Sequence, residues 1–130
     1  MIHAKLGVCA ESVVRDAETN AISVFNIFED LKASSFPVAI PKLSALFILE
    51  RDTDDPAQVD CLVTIRLGKK EIGRVTLGGD FEDKFRTRVI LVAQGVVIDK
   101  PGNLVISCIV NNKTMGAWTI PVHSSEAADE

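Results

Sequence analysis

The chain has no tyrosine, one tryptophan and two histidines in 130 residues, and each shortage removes a class of function. Aromatic residues make up 5% and none is interleaved with basic ones, so there is no row of stacking platforms for unpaired bases. Basic side chains are scattered among acids and the net charge is −4, which excludes a surface built on phosphate contacts and, with it, nucleic acid as a partner. His3 and His123 stand near opposite ends, without HxH, HxxxH or CxxC spacing, so neither a metal centre nor a catalytic base is expected. No G-x-S-x-G elbow surrounds Ser12, Ser23 or Ser107, and Gly73, Gly78 and Gly79 form no phosphate-cradling pattern. These gaps predict a protein that is not an enzyme and uses no cofactor.

Long apolar runs are missing too. The start, MIHAKLGVCAESVV, has one lysine and no extended apolar core, so it reads as neither a secretory signal nor a membrane span, and a cytoplasmic protein without membrane insertion is expected. Cys9, Cys61 and Cys108 are odd in number and lie inside apolar segments, which suits buried thiols better than a disulfide framework.

What is present favours strands. Hydrophobic residues reach 47% against 25% charged, with Val and Ile abundant, and the length suits one domain. The organising stretch is Leu104 to Val122, two apolar strands about a polar turn. Leu104, Ile106, Cys108 and Val110 alternate on one face, and Trp118, Ile120 and Val122 on one face of the return. Those faces coincide if Ile106 lies opposite Trp118 and Leu104 opposite Ile120. That requires an odd loop such as Asn111-Asn112-Lys113, or a two-residue turn with a bulge near Gly116.

Upstream, His3–Val14 and Ala21–Phe28 form a hairpin about the polar turn RDAETN, with Leu6, Val8 and Ala10 expected inward. Glu29 to Lys42 is a crossover with one helical turn around Asp30 to Ala33, broken by Pro37 and Pro41. Leu43–Arg51, Gln58–Leu67, Glu71–Leu77 and Phe85–Ile98 follow as strands, with a bulge at Gln94-Gly95 in the last. About eight strands with regularly spaced turns predict an all-β fold, an antiparallel two-sheet β-sandwich, immunoglobulin-like or C2-like. The domain spans 1–122, with Leu6, Val63, Ile65, Val89, Leu91, Ile106, Cys108, Trp118 and Ile120 in its core. Residues 123–130, HSSEAADE, are expected to be a disordered acidic tail.

The runs CAESVVRD, NAISVFNIFEDL and FPVAIPKLSALFILERD, with the late PGNLVISCIVNN and the final WTIPV, resemble a family of small uncharacterised bacterial β-sandwich proteins, classed as a domain of unknown function. The resemblance covers most of the chain. It implies the sandwich fold and a bacterial, non-secreted setting, and it transfers no site residue.

Two stretches remain as candidate sites. Loops bearing Asp16 and Glu18, then Asp52, Asp54 and Asp55, then Asp80, Glu82 and Asp83 would share one end of the sandwich if consecutive strands are antiparallel. Asp52, Asp54, Asp55, Asp80 and Asp83 would then be oxygen ligands of a calcium-dependent, C2-like surface or membrane-binding domain. In the crossover, Phe36, Val38 and Ile40 alternate between Pro37 and Pro41, an apolar strand that cannot donate every ladder hydrogen bond and so suits a sheet edge or a partner groove. The favoured function is a non-catalytic protein-interaction or structural module, binding through Phe36, Val38 and Ile40, with calcium binding as the alternative. Homodimerisation through a free His3–Glu11 edge is a further expectation.

Overall fold

Each segment of alternating apolar residues forms a strand in the computed structural model, which describes residues 1–125 of the protein. The strands among these are β1 (His3–Arg15), β2 (Ile22–Ile27), β3 (Leu31–Ala33), β4 (Val38–Glu50), β5 (Gln58–Leu67), β6 (Lys70–Asp80), β7 (Arg86–Ile98), β8 (Gly102–Val110) and β9 (Lys113–Ser124). They make two sheets, a four-stranded one in the order β2-β1-β4-β7 and a five-stranded one in the order β3-β9-β8-β5-β6. Phe47, Leu43 and Leu49 of the first sheet and Val63, Ile106 and Ile120 of the second are fully buried in the shared core. The two-sheet sandwich expected from the periodicity is therefore the fold.

The closing hairpin takes the second of its two expected routes. Ile106 pairs with Trp118 and Leu104 with Ile120. Asn111 and Asn112 both adopt left-handed φ (52° and 64°), the chemistry of a two-residue primed turn. The register then shifts between Cys108 and Ile109, beside Gly116, and that shift restores the common face.

Four expectations are corrected. First, Leu31–Ala33 is not a helical turn but a parallel strand against Val122–Ser124; the ladder satisfies backbone groups that one isolated turn would leave open. It is also the exception to antiparallel pairing, and it extends β9 past Val122, so His123 and Ser124 are strand rather than tail. Residues 126–130 of the expected tail lie outside the described residues.

Second, Leu6 is 44% exposed. Gly7 and Cys9 pair with Phe47 and Ala45 and face the inter-sheet core, which puts Leu6, Val8 and Ala10 on the outer face. Glycine at position 7 fits a close approach, since a Cβ there would sit 3.0 Å from the Phe47 ring and the ring would have to give way.

Third, the irregularity at Gly95 shifts no register. Leu43 pairs with Ala93 and Ile40 with Val96 in one continuous ladder. Yet all four face the core, so both strands change face within three residues. Gly95 takes a φ of 67°, and the opposing Pro41 has no N–H to give the ladder.

Fourth, β1 is a free edge only before Ala10, since β2 pairs with it from Ala10 to Arg15. It lies between β2 and β4, and where β2 stops, β1 runs against β9, close enough that a Cβ on Gly116 would lie 2.8 Å from that of Ala4.

The middle of the outer face of the four-stranded sheet is covered from within, while Leu6, Ile27, Ile90 and Val92 around it stay exposed. Ile27, Ala10, Ser44 and Val92 form one cross-strand row, Val8, Leu46 and Ile90 the next, and Leu6, Ile48 and Arg88 the third. Ala10, Ser44 and Leu46 are nonetheless at most 1% exposed. Arg88, at the Leu6 end, donates to the backbone oxygen of Asn20 at 2.6 Å. A straight β1 would carry Asn20 to the opposite end, so the hairpin of Ser12–Arg15 with Ile22–Phe25 folds back over the sheet. The bend falls at Glu11 and Asn26, where the β1–β2 ladder skips a pair and Asn26 has a φ of 59°.

Candidate functional site

The fold-back leaves β4 half-covered. Its ladder with β1 ends at Ala10↔Ser44, while its ladder with β7 continues to Val38. Val38 to Leu43 thus has a paired side and a vacated one. The departure is anchored, because the Ser44 hydroxyl donates to the Glu11 carbonyl at 3.1 Å and the Lys42 ammonium to the Ser12 hydroxyl at 3.3 Å. In the other sheet, β3 pairs among the described residues only with β9, and its second side is open there.

These two open edges border one cleft of about 380 Å³, lined by Glu11, Phe28, Leu31, Lys32, Ala33, Val38, Ala39, Ile40, Pro41, Lys42 and Val122. Its surface is mostly apolar, with Glu11, Lys32 and Lys42 as its charged groups. Side chains alternate across a strand, so a cleft floored by a sheet face is lined by every second residue. Here all three residues of β3 and five consecutive residues of β4 contribute, which makes the walls strand edges. Trp118 fixes the entry to β3 by donating its indole N–H to the Phe28 carbonyl at 2.8 Å, which places its ring partly within the core as well.

Of the sequence-predicted partner residues, Val38 and Ile40 line this cleft, and Phe36 packs against the core beside it. The Phe36–Pro37 bond is cis. Phe28, Leu31, Lys32, Lys42 and Val122 were not anticipated. Leu31 and Val122 meet only through the parallel β3–β9 pairing, which no local pattern signals. Lys42, next to Pro41, was the one with a readable cue, as a charged residue closing an apolar alternation.

The acidic turns do share one end, though the first arrives there by the fold-back. Arg51 ties the other two together, donating to the carbonyls of Lys84 (2.8 Å) and Asp55 (3.1 Å) and stacking over Phe81. Several of these carboxylates already have partners within the protein, while Asp83 is exposed on its turn. Asp16 accepts from the backbone N–H groups of Glu18 and Thr19, which hold its pKa below the usual carboxylate range. Asp55 is lowered by the Asp52 N–H and then by the terminal amine, which Asp52 also binds. Asp80 caps the Glu82 N–H at 3.0 Å, and Asp54 is exposed on its turn. Arg15, Lys84, Arg86 and Arg88 line the same hollow as Asp80 and Glu82. Among the described residues no three acidic, histidine or cysteine side chains gather as a metal would need. His3 lies 3.5 Å from Glu50, while His123 pairs with Lys32 across the β9–β3 ladder, so the two histidines are not brought together.

The three thiols are buried and none is in a disulfide. Burial pushes Cys9 up to about 12. Cys108 is raised by its hydrogen bond with Cys61 and by burial.

Residues 5–123 match a family described as "Family of unknown function (DUF6941)", and the chain belongs to it. No curated protein matches the chain. Among solved structures it is similar to the Pseudomonas fluorescens alkylpurine DNA glycosylase AlkC bound to DNA containing an abasic site analog, with a TM-score of 0.52 and 10% identity over 94% of this chain. The chain spans 30% of that chain's length, and at this identity the likeness speaks to the fold alone. No helix among the described residues is long and apolar enough to cross a membrane.

Proposed function

We propose that the protein is a non-catalytic interaction module that captures an extended polypeptide segment by strand addition in the cleft between β3 and the first residues of β4. One observation carries this reading: the cleft is walled by consecutive residues of β3 and of the first part of β4, Val38 to Lys42, each without a strand partner on one side among the described residues. Unpaired strand edges offer a row of backbone donors and acceptors, which an incoming extended segment satisfies while its alternate side chains enter apolar pockets. The apolar lining supplies the rest of the free energy, at about 25 cal/mol per Å² removed from water. The DNA in the glycosylase structure belongs to that protein; a net charge of −4 disfavours a phosphate-binding surface here.

The test uses Ala39, which lines the cleft and is exposed, so Ala39→Glu puts a charge in the groove without opening the core. The parent should enrich binders from a display library of random twelve-residue peptides. Labelled versions should lose most of their anisotropy signal on Ala39→Glu, and also when a proline replaces the central residue of the peptide. The Tm of the variant should stay within about 2 °C of the parent, as for surface changes generally. Enriched peptides that bind the variant as well as the parent would show that the cleft is not the site.

A further inference from the structure

Resting on that reading of the cleft, we infer that the captured segment carries an acidic residue beside its apolar ones, recognised by Lys32 and Lys42. The two lysines line opposite walls of the cleft, one on each open strand. Neither forms an ion pair among the described residues, a property they share with most of the chain's basic side chains; what sets them apart is their place on the cleft lining. Lys42 reaches only a neutral hydroxyl, that of Ser12. The one carboxylate lining the cleft, Glu11, is engaged by the Asn26 side-chain amide at 3.4 Å. The lining therefore carries one more positive charge than negative, in a chain whose net charge is −4. A surface of opposite sign to its surroundings, bordering an apolar groove, selects for complementary charge and raises the encounter rate of segments that bear it.

The occupant this favours is a peptide rather than a fatty acid, although both combine an apolar body with a carboxylate. A fatty acid leaves the strand edges unpaired, and unsatisfied backbone groups beside a bound apolar chain are costly. An extended peptide satisfies them and the lysines together. It must place its acidic side chain at an end of the apolar alternation, since Lys42 lies one residue beyond Pro41, where β4 turns back into the core.

The experiment compares the random twelve-residue peptide library on the parent and on Lys32→Glu/Lys42→Glu. Both lysines can be reversed without losing the cleft: Lys32 is exposed, and when the Lys42–Ser12 hydrogen bond is lost the Ser44–Glu11 hydrogen bond still anchors the departure of β1, which an unchanged Tm of the double variant checks. Parent-selected peptides should carry Asp or Glu flanking alternating apolar positions. They should bind the double variant about ten-fold or more weakly, and the difference should shrink at high salt as the charges are screened. The variant should in turn enrich Lys or Arg at the same flank. Peptides selected without acidic residues, or bound equally by both proteins, would overturn the charge recognition while leaving strand addition in place. A fluorescent fatty acid that binds the parent, is displaced by oleate and survives Ala39→Glu, with no peptide enriched, would overturn both.

Discussion

The approach of β1 to β9 is the part of the architecture most exposed to a direct test, because a single glycine holds it. At Gly116 an added Cβ would lie 2.8 Å from the Ala4 Cβ and 3.6 Å from the Phe47 ring. Carbon atoms settle at about 3.5–4.0 Å, so the two strands must part by roughly 1 Å to admit the methyl. The Ala4 Cβ is fixed to its backbone and cannot rotate away. Overpacking of this kind costs about 1–3 kcal/mol, and for a chain of this size that lowers Tm by about 3–10 °C. Ala4→Gly removes the opposing methyl at a backbone cost of about 0.5–1 kcal/mol. Urea unfolding of the parent, Gly116→Ala, Ala4→Gly and the double variant closes the cycle. The double variant should be more stable than the sum of the singles predicts by about 1 kcal/mol or more, the signature of two groups in contact. Additivity within about 0.5 kcal/mol, or a neutral Gly116→Ala, would show that β9 does not close against β1.

Leu46 is fully buried although it lies on the outer face of its sheet. Leu46→Ala should therefore cost a core-like 2–5 kcal/mol, about what Leu→Ala costs inside a domain; a loss near that of the 36% exposed Ile90 would mean that the hairpin does not cover it. Glu50, Asp16, Asp55 and Glu71 all have lowered pKa values, from Arg86, backbone N–H groups, backbone N–H with the terminal amine, and Arg74 respectively. The unfolded chain then binds more protons than the native one around pH 4, so Tm should hold from neutral pH to about 5 and fall as pH drops below about 4; a Tm that rises on acidification would contradict this. Cys9, Cys61 and Cys108 should resist a thiol-disulfide reagent at pH 8 until urea unfolds the chain, and rapid native labelling of any one of them would mean that its strand opens locally.

Alternation revealed the sandwich where one face of a strand is largely polar, as in Gln58–Leu67, whose inward Cys61, Val63, Ile65 and Leu67 are all buried. It failed in β1, where Gly7 and Cys9 oppose Leu6, Val8 and Ala10. Both faces of that strand are apolar, one toward the second sheet and one toward the folded hairpin, which buries Val8 and Ala10 and leaves Leu6 exposed, so the larger side chains pointed to the wrong side. The short β3 was hidden for a different reason. Three residues contain no period, and their strand conformation comes from Val122–Ser124, some ninety positions away in the chain.

The cleft depends on two local breaks that the sequence marks only faintly. Asn26 at left-handed φ turns β1 and β2 off the sheet, and Pro41 opposite Gly95 lets β4 and β7 change face without losing register. Either alone would leave an ordinary strand end. Together they vacate one side of β4 while keeping Val38 and Ile40 turned toward apolar neighbours. Lysine and proline are also the residues with which proteins guard exposed edges against aggregation, so Lys32, Pro41 and Lys42 admit that simpler role. A guarded edge, however, requires no cavity beside it. Here about 380 Å³ separates the two edges, within the range of ligand-binding clefts and enough to seat several apolar side chains. Guarding alone also predicts that Lys32→Glu/Lys42→Glu, which keeps the edge charged, leaves peptide selection unchanged. A reversed charge preference in the selected peptides would require the lysines to be in contact with the occupant.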